Sequence, residues 1–497
     1  MSNMYENYFT EEHGIHLPTI RIKKVVLKDF KSIERGEIVF NCGRQFVPCN
    51  TEADILGIYG QNGSGKTSFI EALAILKDLM SGQPVANSYA ECVAVDKDHA
   101  ELEFVFDLQY PDEIIREASY SFCMSSVNLT EEELRERYKN FPEEFDLPDD
   151  EKRAIIFNEK FSLLWEGASK RQVIIDTSSS KSPFTPDTKR KEIAGGGSKT
   201  LVALEVNKQL AKNSAQSFIF MKETLDLFEE KDNKSVFFRV LAELRYFARF
   251  YLYVIDTKSS GLIRLNLALP IYTRQGVITL DSRRSMTYPL ETFEELSDDL
   301  SAISSVLSQL VPGLSIGLRK MSETVAKDGS PAIVTMLMAY RDGKELPLRE
   351  ESDGVRKIIS VLSLIIAAFN EESVTVAIDE FDAGIFEYLL GEILQAMEES
   401  GKGQFIFTSH NLRPLEVIDK KFLYFTTANP ANRYIRLKKI AATNNLRDTY
   451  FREIVLNEQD EIIYKRTKRF KIVAALVQAG GRRNGQEAET EDSFILS

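Results

Sequence analysis

Gly60-Gln61-Asn62-Gly63-Ser64-Gly65-Lys66-Thr67 is the stretch that decides the fold. It satisfies G-x-x-x-x-G-K-[ST] at every fixed position. Upstream, Asp54-Ile55-Leu56-Gly57-Ile58-Tyr59 reads as an apolar strand. Downstream, Phe69, Ile70, Leu73, Leu76 and Leu79 fall at helical spacing and predict a helix over 67–80. Strand, glycine-rich turn and helix are the context the motif requires. The glycines let backbone N–H groups turn inward around a polyphosphate. The helix adds the positive end of its dipole. Lys66 is placed for the β- and γ-phosphates, and the Thr67 hydroxyl for Mg²⁺. ATP and Mg²⁺ are the expected ligands.

Working outward, Ile20–Phe40 reads as two short strands, and 101–108, 120–124, 154–165 and 172–175 continue the β material. An acidic stretch, 130–151, predicts a helix and loop. Residues 177–199 read as a loop, with the run Ser178-Ser179-Ser180, two prolines and Gly195–Gly197. Aromatic-rich helices follow at 205–228 and 234–250, then a cleaner one at 291–310. Asp342-Gly343 between two strand-like runs predicts a hairpin. From Val355 onward helices and strands alternate, which implies parallel strands with crossover helices.

Two strand ends in that half carry chemistry. Val374–Ile378 delivers Asp379-Glu380 to its C-terminal end, where ligands bind in an open α/β sheet. Asp379 suits Mg²⁺ held through water, and Glu380 suits polarisation of an attacking water. Adjacent acids can divide these roles because the metal neutralises one. Phe405-Ile406-Phe407 leads to Thr408-Ser409-His410, which brings His410 to the same sheet edge. Ser352-Asp353-Gly354 opens an apolar helix. A serine and glycine at a helix N-terminus can bind an anion, and Ser352 or Asp353 can equally serve as a plain N-cap.

Leu27-x-x-Phe30-Lys31-Ser32, the phosphate loop, Glu351-Ser352-Asp353-Gly354, Ile378-Asp379-Glu380 and Ser409-His410, in that order, resemble the SMC/RecF-type branch of ABC ATPases. More closely, the set resembles stand-alone bacterial AAA-family ATPases related to the OLD type, of the kind found in anti-phage defence. The resemblance covers roughly residues 20–180 and 312–450. It implies an α/β fold: a split ABC-type P-loop head, with a mixed or antiparallel lobe, a parallel α/β lobe and an inserted helical lobe. It also implies a homo-oligomer of at least two heads with ATP between them. Ser352, Asp353 and Gly354 would then act in trans on the γ-phosphate held by Lys66 of the other head. Asp382 would lie in the loop that crosses the dimer, with Glu380 as base and His410 as switch. This chain departs from the pattern with Ser-Asp-Gly in place of Ser-Gly-Gly and with Phe386 where a histidine is common. Gln109 is the candidate for the Mg²⁺-sensing glutamine. Turnover is accordingly expected to be slow or gated by a partner.

At 497 residues the chain has material for about three domains. The expected bounds are 1–19 as a tail, 20–180 as the N-terminal lobe and 181–311 as a linker with helical insertion. Residues 312–456 form the C-terminal lobe, and 457–497 a basic segment with a disordered tail. Hydrophobic residues at 43% supply a core. A net charge of −13 excludes a generic polycation. Lys189–Lys191 and Lys465–Lys471 are local basic clusters and the candidates for DNA contact. Four cysteines without a C-x-x-C pair and four histidines argue against a zinc module and a disulfide framework, so the chain reads as cytoplasmic. No apolar run reaches about 18 residues, and no membrane partner is expected. The resemblance implies a sensor and scaffold acting through a separate effector, with a nuclease as the expected one. The alternative is a DNA repair or chromosome-maintenance ATPase.

Overall fold

The computed structural model describes residues 18–40, 53–110, 115–139, 151–179, 182–232, 236–256, 268–273, 276–326, 329–437, 446–456, 459–465 and 467–481. The expected N-terminal tail to residue 17, Cys42, Cys49, the loop 140–150, Arg466 and the tail from residue 482 lie outside the described residues.

Along the chain the N-terminal strands are β1 (Thr19–Phe30), β2 (Ile33–Val39), β3 (Asp54–Tyr59), β4 (Ala100–Gln109), β5 (Ile115–Asn128), β6 (Lys152–Trp165) and β7 (Gln172–Asp176). Helix α1 (Lys66–Met80) follows the phosphate loop, and α2 (Glu131–Arg137) is closed by a capping box from Thr130 and Glu133. Helices α3 (Asp187–Ala194), α4 (Ser198–Asn213), α5 (Lys222–Asp232) and α6 (Val236–Phe250) come next. Then follow β8 (Leu252–Ile255), β9 (Ala268–Thr273), β10 (Gly276–Asp281), β11 (Met286–Pro289), α7 (Leu290–Leu310), β12 (Leu314–Val325), β13 (Pro331–Arg341) and β14 (Lys344–Pro347). The C-terminal half adds α8 (Asp353–Asn370), β15 (Thr375–Ile378), α9 (Glu387–Ser400), β16 (Gln404–Thr408), β17 (Leu423–Thr426), β18 (Tyr434–Ile435), α10 (Leu446–Leu456) and α11 (Arg469–Gly481).

Two six-stranded sheets sandwich α1. One is antiparallel, in the order β2-β1-β4-β5-β6-β7. The other, β18-β17-β3-β16-β15-β8, is parallel except for β18. The apolar face of α1 (Phe69, Leu73, Leu76) joins Ile22, Phe104 and Phe106 of the first sheet and Ala377 and Ile406 of the second in one core. The opposite face of the parallel sheet presents Ile55, Val376, Ile378, Phe405 and Phe407 to α7, α8 and α9 in a second core. Burial on both faces explains why β3, β15 and β16 read as unbroken apolar runs. One antiparallel lobe and one parallel α/β lobe around the helix that follows the phosphate loop give the split α/β head expected from the sequence. Asp342 and Gly343 both take left-handed backbone (φ 50° and 75°) and close the β13–β14 hairpin, as their dipeptide predicts.

The middle of the chain differs in two places from the sequence reading. The loop expected over 177–199 contains α3. Its residues are almost all polar, so it has no apolar period to read, and Asp187 pairing with Arg190 and Lys191 supports it locally. The stretch 181–311 is also not helical throughout. Helices α3 to α6 share the first core through Ile193, Leu204, Leu225, Leu241 and Phe247. The strand β8 then enters the parallel sheet beside β15. At four residues β8 is too short to separate from the aromatic helix before it. Among the described residues no helix is long and apolar enough to cross a membrane.

Candidate functional site

The parallel pairing fixes which strand ends meet. Ile378 is in register with Ile255 on one side and Phe407 on the other, and Thr408 with Ile58. Tyr59-Gly60, Asp379-Glu380 and Thr408-Ser409-His410 therefore leave the sheet at one edge.

The phosphate loop is built as its composition requires. Gly60, Gly63 and Gly65 all have positive φ, and a Cβ at Gly60 would fall 1.7 Å from Thr426 Oγ1. The Ser64 hydroxyl lies 2.5 Å from that of Thr426, which braces the loop against β17. Gly65 caps α1 without a side-chain bond, so the first amides of the helix face the loop. The Lys66 ammonium donates to the carbonyls of Gly60 (2.8 Å) and Gln61 (3.3 Å). Burial holds its pKa below the ordinary lysine value, while Asp379, Glu380 and Asp382 pull it back up.

Asp379 is 3% exposed. Its Oδ1 accepts from Thr408 Oγ1 at 2.5 Å and from Thr67 Oγ1 at 3.3 Å. A hydroxyl and a buried carboxylate facing each other beside a phosphate loop form a fitting cradle for hydrated Mg²⁺. Among the described residues no three His, Cys, Asp or Glu side chains cluster as a metal site. A cation bound here would complete its shell with phosphate and water.

Glu380 is half-buried and takes left-handed backbone, φ 49°. For a non-glycine residue this costs on the order of 1–3 kcal/mol and persists only where the surroundings over-determine it. Here they do. Its N–H donates to Thr408 Oγ1 (2.8 Å), and its carbonyl accepts from Lys357 Nζ (2.7 Å) and from the Ala383 N–H (3.0 Å). The flanking amides of Asp379 and Phe381 donate to Ile255 and Thr408 carbonyls at 2.9 and 3.0 Å. Lys357 is buried, which pushes its pKa down to about 8 against the opposing pull of Asp382, Glu380 and Asp379.

Asp382 Oδ2 accepts from the backbone N–H groups of His410 (3.2 Å) and Asn411 (3.0 Å), so this acid orients the histidine loop of its own chain. The His410 pKa is lowered, by desolvation first and then by the Lys66 charge, with Asp382, Glu380 and Asp379 opposing. Ser352 is the N-cap of α8, and its Oγ accepts from Val355 N–H at 3.4 Å; Asp353 pairs with Arg356. Gly354 is in contact with the loop after Glu380, and a Cβ there would lie 2.5 Å from the Gly384 carbonyl oxygen. Phe386 and Tyr388, at the start of α9, are exposed.

Two sequence-selected groups sit elsewhere or are otherwise engaged, and a third lies exposed beside the phosphate loop. Gln109 pairs in register with Thr19, whose hydroxyl donates to Glu372 just before β15. It therefore lies at the opposite edge of the parallel sheet, away from Lys66, because β4 runs antiparallel to β1. Of Lys189–Lys191, Arg190 is buried against Asp187, Lys191 pairs with Asp187, and Lys189 pairs with Glu192 and covers the Phe237 ring. Lys465, Lys468, Arg469 and Lys471 are exposed, and the Lys465 backbone exchanges two hydrogen bonds with the Gln61 side chain.

Sequence reasoning missed Thr408 and Lys357. Thr408 was visible as the polar end of an apolar strand beside the acid-bearing one. Lys357 carried no signal, since a lysine in the first turns of a helix normally points to water. A cavity of about 350 Å³ opens beside Gly60, Gln61 and His410, walled by Tyr450, Phe451 and Tyr464. A larger one, about 410 Å³, lies at the other edge of the sheet among Thr19, Glu372 and Lys402 and touches none of these groups.

Residues 55–416 match the family described as "AAA domain, putative AbiEii toxin, Type IV TA system". No curated protein matches the chain. Among solved structures, it resembles an Smc head bound to the C-terminal winged-helix domain of ScpA, with 13% identity, a TM-score of 0.39, and coverage of 84% of this chain and 97% of that one. It also resembles the Smc head with an extended coiled coil bound to the ScpA C-terminal domain, derived from Pyrococcus furiosus (15%, TM-score 0.35, 84% and 96%). The SMC head domain from Thermotoga maritima is similar at 13% identity, TM-score 0.35, covering 84% and 100%.

Proposed function

The chain belongs to this AAA-domain family, and from that premise we propose that it is an ABC-type ATPase whose heads pair to hydrolyse ATP between them and so control a separate effector. The observation that carries the reading is the convergence of Lys66, Thr67, Asp379, Glu380 and His410 on one edge of one parallel sheet. Lys66 and the loop amides bind the polyphosphate. Mg²⁺, when bound, neutralises charge on the β- and γ-phosphates. Thr67 and Asp379 are the residues that would hold it. Glu380 polarises the attacking water, and His410 meets the γ-phosphate side of the site. Ser352 and Gly354 act on the nucleotide of the second head, and Asp382 sits in the loop between the heads. The exposed Phe386 and Tyr388 beside that loop support a docking face there.

The family description, with its AbiEii toxin and type IV toxin–antitoxin system, supports a role in anti-phage defence. A separate nuclease as the effector is part of our proposal. A DNA repair or chromosome-maintenance role is the second reading. It is favoured by the exposed Lys465, Lys468, Arg469 and Lys471, the first of which is held by Gln61 of the phosphate loop. That role requires DNA affinity that falls steeply with salt.

The direct test is Glu380→Gln. It is expected to bind ATP normally and to release phosphate about 10²–10⁴-fold more slowly, the usual cost of losing a general base. Unchanged turnover would remove Glu380 from this role.

A further inference from the structure

We propose that Lys357 is a positioning residue that ties the loop Ser352–Gly354 to the catalytic carboxylate of its own chain. The inference rests on the ATPase reading above. Lys357 is 2% exposed, an unusual place for an ammonium unless it is used. It lies on α8, five residues after Ser352 and on the same short helical start. Its Nζ donates to the Glu380 carbonyl at 2.7 Å.

That carbonyl belongs to the one site acid with left-handed backbone. The direction of the Glu380 side chain follows from its Cα–Cβ bond, and so from the two peptides that flank the Cα. The N-terminal peptide is held by Thr408 Oγ1, and the C-terminal peptide by Lys357 and the Ala383 N–H. Ala383 lies within the same turn and moves with it. Thr408 on β16 holds the two flanking N–H groups, of Glu380 and Phe381, and Lys357 is the group on α8 that holds the Glu380 carbonyl. Gly354 adds a second link, backbone against backbone at Gly384. The start of α8 therefore grips the 380–384 turn at both ends.

The consequence is a route between two sites. A nucleotide on the partner head that engages Ser352 displaces the start of α8, and Lys357 transmits that displacement to Glu380. Binding in trans then sets the aim of the base in cis, a coupling through a contiguous physical contact.

The test is a double-mutant cycle of Lys357→Met with Glu380→Gln, read as single-turnover phosphate release, with ATP affinity and thermal melting alongside. Lys357→Met keeps an unbranched chain, one atom shorter, and removes the donor. It is expected to leave ATP affinity unchanged and to slow release about 10–100-fold, the scale of a misplaced catalytic group. On the Glu380→Gln background the same substitution is expected to change the rate less than about twofold, because its effect passes through that carboxylate. Wild-type release by Lys357→Met would overturn the proposal. So would an equal loss on both backgrounds, which would mark a general scaffold role. If Lys357→Met melts below the assay temperature, Lys357→Gln takes its place. Its amide is one bond too short for the Glu380 carbonyl, and the same non-additivity is expected. Normal release by Glu380→Gln alone would instead remove Glu380 as the base, and this proposal with it, whereas no release by the wild-type chain would overturn the ATPase reading.

Discussion

The two ends of the parallel sheet are made from the same strands and similar polar residues, yet they behave oppositely. At the N-terminal end, the Gln404 side chain uses its whole bonding capacity. Its Oε1 accepts from Ile22 N–H (2.7 Å) and Thr375 Oγ1 (3.0 Å), and its Nε2 donates to Ile22 O (2.8 Å) and Asp54 Oδ2 (2.9 Å). Arg21 adds bonds to the Glu372 and Lys402 carbonyls. These contacts fasten the antiparallel sheet to the parallel one. At the C-terminal end, three carboxylates crowd two buried lysines, the Lys66 ammonium rests on loop carbonyls, and Glu380 holds a costly backbone conformation. The larger cavity lies at the satisfied end. Cavity size does not mark the site here. The groups arranged to receive a ligand do.

The contrast makes separable predictions. The largest is at the quiet end. Gln404→Ala removes four buried hydrogen bonds, to the Ile22 N–H and carbonyl, Thr375 Oγ1 and Asp54 Oδ2, so at about 1–3 kcal/mol per weakened buried group denaturant unfolding is expected to show a loss of about 3–5 kcal/mol. Phosphate release per folded molecule should not change. A slowed rate at full folding would mean that the sheet ends are coupled. Glu380→Gln should give the reverse pattern, with full stability and lost turnover.

The smaller effect is at the poised end. The pKa of Lys357 is about 8 when folded and near 10.5 when unfolded. Between these values the unfolded chain binds more protons, so stability rises with pH. The expected gain is about 1 kcal/mol between pH 8 and pH 9, and it should vanish in Lys357→Met. A wild-type curve as flat as that of the variant would place the ammonium in water.

Much of this arrangement is legible in the sequence. The phosphate loop, the acid pair and His410 each follow an apolar strand. Parallel strands joined by crossover helices deliver their C-terminal ends to one edge. The remainder depends on tertiary placement. Gln109 sits at a strand end, as read, but sequence does not say which edge that end faces. The antiparallel course of β4 sends it away from Lys66. Lys189–Lys191 reads as a free cluster until folding sets it against Asp187, Glu192 and Phe237. The role of Lys357 exists only because the start of α8 abuts the turn after Glu380.

The central claim is that one head completes the nucleotide site of another, and mixing two inactive variants tests it most directly. Lys66→Ala cannot hold the phosphates, and Ser352→Arg blocks the start of α8. In a mixed dimer, Lys66 of one chain faces Ser352 of the other, and one intact composite site forms. The account predicts that each variant alone releases no phosphate from MgATP and that the mixture regains release, at a reduced rate because the chain that supplies Glu380 has lost its own Ser352 contact. A mixture as inactive as its parts, with mixed dimers demonstrated by mass, would contradict it.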